Sequence, residues 1–398
     1  MVLEKHDLHR HEAGCVRILH VVASYLPAVR YGGTIVSVHG LCRALAERGH
    51  DVHVFTTSVD GDTDSPVAHE TPVIVDGVRV WYFRSPRFRR LYWAPGLQRV
   101  LREQIVTFDL VHTHAVYLWP GWAAMRRAEA AAIPYIVAPR GMLEKDLIER
   151  KSTIAKSVLI GFIERYFLEH AAAIHVTSRR ESAELRKFGF ALPPVYEIPN
   201  GVDTVDGAGV MADLLPKLPC HFALFIGRIS WKKGLDRLVD ALPMTPRTQV
   251  VVAGNDDEGY TGQLRARAER LGVAHRVLFV GPIYGPAKSA LLARASYLIL
   301  PSYSENFGNV VLEALAHGTP VIMTKDVGAA DWVQEHAVAV VSDGSPEALA
   351  GAMTRLDNDA AARLSMGTQG KALVTRAFQW PAVAARVESM YQAVLAKP

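Results

Sequence analysis

Short unbroken apolar runs alternate along this chain with longer stretches in which apolar residues recur every third or fourth position. Short runs bounded by turn residues predict buried strands, and the longer period predicts amphipathic helices. In the first half the runs are Arg17–Ala23, Asp51–Thr56, Val78–Phe83, Leu110–Thr113, Tyr135–Ala138 and Ala173–Thr177. A helix is expected over Gly33–Arg48, closed by Gly49. The second half repeats the scheme at Phe222–Ile226, Gln249–Ala253, Val277–Val280, Tyr297–Leu300, Val321–Thr324 and Val338–Val341. Strands alternating with helices imply parallel sheets covered on both faces. Pro199-Asn200-Gly201 is a turn signal about midway along the chain. The chain therefore reads as two Rossmann-like α/β domains, 15–200 and 201–377. The closing stretch, 378–396, has Pro381 in a first helical turn and an apolar stripe at Val383, Val387, Met390, Tyr391 and Val394.

Composition narrows the class. A chain of 398 residues, 49% hydrophobic and 8% aromatic, supports two ordinary cores. Its three cysteines, Cys15, Cys42 and Cys220, form neither a disulfide framework nor a metal cluster. No signal peptide is expected in the charged, histidine-rich start, where His6, His9 and His11 read as a solvated tail. No apolar run approaches the roughly 18–20 residues that cross a bilayer. A cytoplasmic location is expected, at the inner face of the membrane if the chain binds lipid.

The densest chemistry lies in Pro301–Thr324, PSYSENFGNVVLEALAHGTPVIMT. Glu305 falls in the loop after a strand, where open α/β sheets bind ligands. Glu313 falls in a short helix whose neighbours Val310, Val311, Leu312, Ala314, Leu315 and Ala316 are all apolar. Such a helix is expected to be buried, and a carboxylate there needs hydrogen-bond donors. A ribose diol would supply two. The backbone N–H groups at Phe307, Gly308 and Asn309 open the helix and favour an anion. A second motif, His221–Gly234, reads HFALFIGRISWKKG. It places Arg228 and Lys233 at the end of a buried strand, a pair of cations suited to a pyrophosphate.

Both motifs resemble those of the retaining glycosyltransferase family 4, in which two glutamates are separated by seven residues. Ile198–Asp203, IPNGVD, also matches the sequence that family carries between its domains. The resemblance implies the GT-B fold, with two Rossmann-like domains facing across a cleft. It implies that Arg228 and Lys233 hold the donor diphosphate and stabilise it as the leaving group. Glu305 would orient the sugar and Glu313 the ribose. The last helix would cross back onto the first domain. Gly32 and Gly33 would lie under the donor phosphate and near the acceptor. His114, ending a strand, would touch the transferred sugar, while His112, inside that strand, would point elsewhere. Arg140, in APRGML, reads as an exposed strand-end arginine that meets either the acceptor or the donor phosphate.

The activity implied is retaining transfer of a sugar from a nucleotide-diphosphate sugar to an acceptor hydroxyl, without a cofactor. The runner-up readings are a non-catalytic sugar-nucleotide-binding protein and a sugar-nucleotide epimerase of related fold. No metal site is expected: Asp60, Asp62 and Asp64 read as a solvated turn, and Ser65 and Thr71 break an EF-hand pattern. Arg79–Arg102 carries seven arginines, no acid and six interleaved Trp, Tyr and Phe. That mix suits an anionic membrane, hence a lipid-linked saccharide acceptor in surface-polysaccharide assembly, or else a strand followed by a solvated basic loop. With a net charge of +4, nucleic acid is not expected as a partner.

Overall fold

A computed structural model describes residues 14–28, 32–145, 160–203, 218–256 and 258–397; His6, His9 and His11 lie outside them. The first sheet is built from β1 (Arg17–Ser24), β2 (Asp51–Thr57), β5 (Pro72–Val75), β6 (Val78–Phe83), β7 (Leu110–His114), β8 (Tyr135–Ala138), β9 (Ala173–Val176) and β10 (Val195–Glu197). A small hairpin, β3 (Val59–Asp60) with β4 (Thr63–Asp64), stands apart. The second sheet holds β11 (Ala223–Ile226), β12 (Val250–Ala253), β13 (Val277–Gly281), β14 (Tyr297–Leu300), β15 (Val321–Thr324) and β16 (Ala339–Ser342).

The second sheet is parallel throughout, in the order β13-β12-β11-β14-β15-β16. That is the 3-2-1-4-5-6 arrangement of a doubly wound fold. The first sheet repeats it as β6-β2-β1-β7-β8-β9, extended by β10 at one edge and β5 at the other. The strand order reverses between β1 and β7 in one sheet and between β11 and β14 in the other. Ligands of such sheets bind in the crevice beyond those strand ends. Gly32-Gly33, His114, Arg228 and Glu305 all follow or end these four strands.

One expectation fails at the edge. β5 runs antiparallel to β6, so the first sheet is mixed. The turn is Asp76-Gly77, with φ of 48° and 80°. Two successive positive φ values make the tight hairpin that Asp-Gly favours.

β11, β12, β14 and β15 are buried along their whole length, as a central parallel strand must be when helices cover both faces. Each buried Val, Leu or Ile contributes roughly 1.5–3 kcal/mol. The helix Trp380–Leu395 buries its stripe against the first domain, with Val383, Val387, Met390, Tyr391 and Val394 among Ile18, Val38, Leu41 and Leu45. A Cβ on Gly40 would lie 2.2 Å from the Trp380 ring, so only glycine lets the two helices approach this closely. Val202 N–H donates to Phe378 O at 2.9 Å, where the chain crosses back.

Candidate active site

Arg228 is exposed at the end of β11 and has no hydrogen-bond or ion-pair partner among the described residues. Lys233 closes a single turn, Trp231–Lys233, that ends at Gly234 with φ of 64°. A Cβ on Gly234 would lie 2.0 Å from Pro301 O, so the glycine lets the Lys233 turn seat against the end of β14. Tyr303 N–H donates to Lys232 O at 2.8 Å and locks the two loops together. The result is an ion pair between Lys233 and Glu305. Burial and the charges of Arg228 and Lys232 push the Lys233 ammonium down to about 8. The Glu305 carboxylate in contact works in the opposite sense.

The helix Asn309–Ala316 begins at Gly308, whose φ of 84° puts it in the left-handed region. Phe307 points into the core at 2% exposure, so only its backbone can serve a ligand. Val311, Leu312, Ala314, Leu315 and Ala316 are buried as expected, but Glu313 is not. Val310, Glu313 and His317 are half-buried and lie at i, i+3 and i+7, on one open stripe of the helix. Sequence reading treats the neighbours one by one and misses this stripe. Glu313 also has a partner in Lys288, whose Nζ lies 2.5 Å from Oε2. The contact is an ion pair without hydrogen-bond alignment.

Asn309 joins the halves. Its Nδ2 donates to Gly33 O at 3.1 Å, and its Oδ1 accepts from Asn200 Nδ2 at 2.8 Å. A Cβ on Gly33 would meet Asn309 Nδ2 at 2.9 Å. Gly32, at φ of 84°, precedes the helix Gly33–Glu47 and has open space around its Cα. Further bonds cross the cleft from Asn306 Nδ2 to Thr177 Oγ1 at 3.1 Å and from Arg180 Nη1 to Asp326 Oδ1 at 2.8 Å.

Arg140 and the histidines correct the sequence reading. Arg140 is buried, at 8% exposure, with φ of 56°. Its Nη1 donates to Asn200 Oδ1 at 2.9 Å, and its Nε and Nη2 donate to His114 Nδ1 at 3.3 and 3.1 Å. Burial lowers its affinity for the proton. The loop it occupies folds back because Glu181 accepts from Gly141 N–H at 2.6 Å and from Thr177 N–H at 2.7 Å. His114 is 3% exposed, and its imidazole is enclosed by protein rather than open to the cleft. His112 does not point elsewhere. β7 runs through His114, so positions 112 and 114 share a face, and the rings lie 4.4 Å apart.

The tautomers follow from partners that can only donate or only accept. Arg140 donates to His114 Nδ1, so the proton of His114 is on Nε2 and goes to His20 Nδ1 at 2.9 Å. Ile198 O accepts from His175 Nε2 at 3.1 Å, so His175 Nδ1 accepts from His112 Nε2 at 3.3 Å. Tyr391 then donates to His112 Nδ1 at 2.8 Å. All four rings are neutral: burial drives His20 and His175 down to about 3, and His112 and His114 well below their ordinary value. His20, His112 and His114 bring ring nitrogens within 4.8 Å of one another, close enough to share an ion. The proton positions oppose that use. The ring atom left over is His20 Nε2, a donor, and it is buried. Asp64, in the acidic turn, pairs with Arg89 at 3.0 Å.

Asn200, Glu181, Asn306 and Lys288 escape the sequence reading. Glu181 had a signal in Ser178-Arg179-Arg180-Glu181, a capping-box pattern, and Ser178 Oγ does accept from Glu181 N–H at 3.1 Å. The other three are joined to the site by bonds between segments far apart in the chain.

Known proteins match this arrangement in both halves. Residues 31–206 match the model of Glycosyltransferase Family 4, and residues 214–373 match that of Glycosyl transferases group 1. The chain belongs to glycosyltransferase family 4. A D-inositol 3-phosphate glycosyltransferase of Jonesia denitrificans is 28% identical over 91% of each chain. A glycogen synthase of Mycobacterium tuberculosis is 28% identical over 95% of each. Among solved structures, sucrose-phosphate synthase from Thermosynechococcus elongatus superposes with a TM-score of 0.76 at 23% identity, covering 96% of this chain and 100% of that one. Anabaena Alr3699/HepE in complex with UDP and glucose gives 0.73 at 18% identity, covering 95% and 100%. The fold of this glycosyltransferase is GT-B.

Proposed function

We propose that this glycosyltransferase moves a sugar from a nucleoside-diphosphate sugar to an acceptor hydroxyl with retention of configuration. The observation that carries the reading is Lys233 paired with Glu305 beside the unpartnered Arg228, at the switch point of one sheet and facing Gly33 of the other. Lys233 and Glu305 hold each other. An incoming diphosphate takes Lys233 and Arg228, which frees Glu305 to accept from sugar hydroxyls. Glu313 accepts from the ribose. As the bond from C1 to the phosphate oxygen breaks, the two cations and the N–H groups of Phe307, Gly308 and Asn309 meet the growing negative charge. This is stabilisation prepared before the reaction. The acceptor oxygen bonds to C1 on the same face, and its proton passes to the departing phosphate oxygen. His114 and Arg140 support the acceptor side from beneath, Arg140 reaching Asn200 and His114 reaching His20. The proton NMR spectrum of the product tests retention. An α-linked donor gives an α-linked product, and a β-linked product contradicts the proposal.

The acceptor we propose is a lipid-linked saccharide, met at the surface of an anionic membrane. The fold changes which residues carry this idea. Arg79, Arg89 and Arg99 pair with Asp51, Asp64 and Glu70. Arg84, Arg87, Arg90 and Arg102 are exposed and have no side-chain partner among the described residues. Between them Phe88 and Leu91 are 70% and 43% exposed. Apolar side chains ringed by free arginines suit a headgroup boundary. No helix among the described residues is long and apolar enough to cross a membrane. Each basic residue adds about 1 kcal/mol at such a surface. Reversing Arg84, Arg87 and Arg90 to Glu is therefore expected to lower partition onto phosphatidylglycerol vesicles about a hundredfold. Equal co-sedimentation of the variant rules this surface out.

A further inference from the structure

Both glutamates of the motif arrive with a lysine already in contact, Glu305 with Lys233 and Glu313 with Lys288. The first pair is accounted for by the donor diphosphate. The second is not. Lys288 belongs to the helix Gly285–Arg294, which packs beside the Glu313 helix. The Lys288 side chain is 28% exposed and that of Glu313 24%; Oε2 is itself covered, so a ligand can reach Lys288 and the other carboxylate oxygen, Oε1. One turn earlier on the same helix, Tyr284 is 54% exposed, its hydroxyl held by Asn255 Nδ2 at 2.8 Å. Asn255 follows β12, so this edge also borders the crevice.

We propose that Lys288 is a specificity residue for the nucleoside, reading the ribose 2′-hydroxyl together with Glu313. This rests on Glu313 as the ribose acceptor. A hydroxyl is both a donor and an acceptor. Glu313 alone meets only the donor half. Lys288 Nζ lies 2.5 Å from the covered Oε2, and an ammonium carries three donors, so N–H groups remain for a ligand oxygen set beside Oε1. A hydroxyl set against Oε1 and Nζ donates to Glu313 and accepts from Lys288. A 2′-deoxyribose leaves the pair one partner short on both sides, and sites built to bond a hydroxyl reject analogues that lack it. An ion pair serving only to join two helices would stabilise the fold and leave the choice of sugar untouched.

The test is calorimetric binding of UDP, GDP and ADP, each beside its 2′-deoxy counterpart, to the full-length protein. The wild type is expected to prefer one ribonucleotide over its deoxy form by about thirtyfold, from bonds to charged groups. Lys288→Met is expected to cut that ratio at least fivefold, by weakening the ribonucleotide and leaving the deoxynucleotide alone. Lys288→Arg keeps most of the ratio. Unchanged melting temperatures show that the variants are folded. A ratio preserved in Lys288→Met overturns the role of Lys288 and leaves the donor reading standing. A wild type that binds both sugars equally overturns the assignment of Glu313 to ribose, and the role of Lys288 with it. A wild type that binds no nucleotide overturns both and the donor reading.

Discussion

Lys233→Ala is expected to lower turnover several hundredfold while the protein stays folded. Removing one prepared stabiliser of developing charge costs about 3–4 kcal/mol of transition-state stabilisation, and each 1.36 kcal/mol is tenfold in rate. Lys233 is such a group. Its turn is fixed by Gly234 against Pro301 O and by the bond from Tyr303 N–H to Lys232 O. The pH dependence gives an independent readout. Burial and the neighbouring cations push Lys233 down to about 8. A bound diphosphate favours the charged lysine and raises that value. Donor affinity should therefore be flat below about pH 8 and weaken above it, by up to tenfold per pH unit. In Lys233→Ala that decline should vanish. A variant with a wild-type rate, or one that keeps the alkaline decline, contradicts the role given to Lys233.

Acid should destabilise the protein well before its carboxylates titrate. His20 and His175 protonate at about 3 in the folded chain and near 6.5 once unfolded. Between those values the unfolded chain binds more protons, so stability falls as the pH falls. At pH 5 each such histidine costs about 2 kcal/mol by that linkage. His112 and His114 are shifted in the same direction. Against a total of about 5–15 kcal/mol for a typical fold, the group takes a large share. The melting temperature should drop steeply between pH 7 and pH 5, a range in which ordinary carboxylates stay ionised. His175→Gln should flatten the drop. A melting temperature constant across that range contradicts the neutral network.

The sequence was most legible where the physics is local. Period and run length placed all six strands of the second sheet, and the motifs after β11 and β14 marked its switch point. The antiparallel β5 was legible too, in Asp76-Gly77, although alternation of strand and helix drew attention away from it. What stayed hidden depends on neighbours far apart in the chain. Arg140 looks exposed because Pro139 and Gly141 suggest a loop, yet Asn200 and His114 enclose it. Glu313 looks buried because the residues beside it are apolar, yet it lies on a half-buried stripe with Val310 and His317, and Lys288 reaches it from another helix. The acid-free run of arginines looked uniformly basic until Asp51, Asp64 and Glu70 were brought to it by the fold.

The central claim is that the switch point of the second sheet holds a nucleoside-diphosphate sugar. Thermal unfolding against a panel of UDP-, GDP-, ADP- and dTDP-sugars, with EDTA present, tests it most directly. A ligand that binds only the folded state raises the melting temperature, by an amount set by its concentration relative to Kd. The account predicts a rise with one nucleotide class that is lost in Arg228→Ala and in Glu313→Ala. No rise with any donor, or a rise that both variants keep, contradicts it.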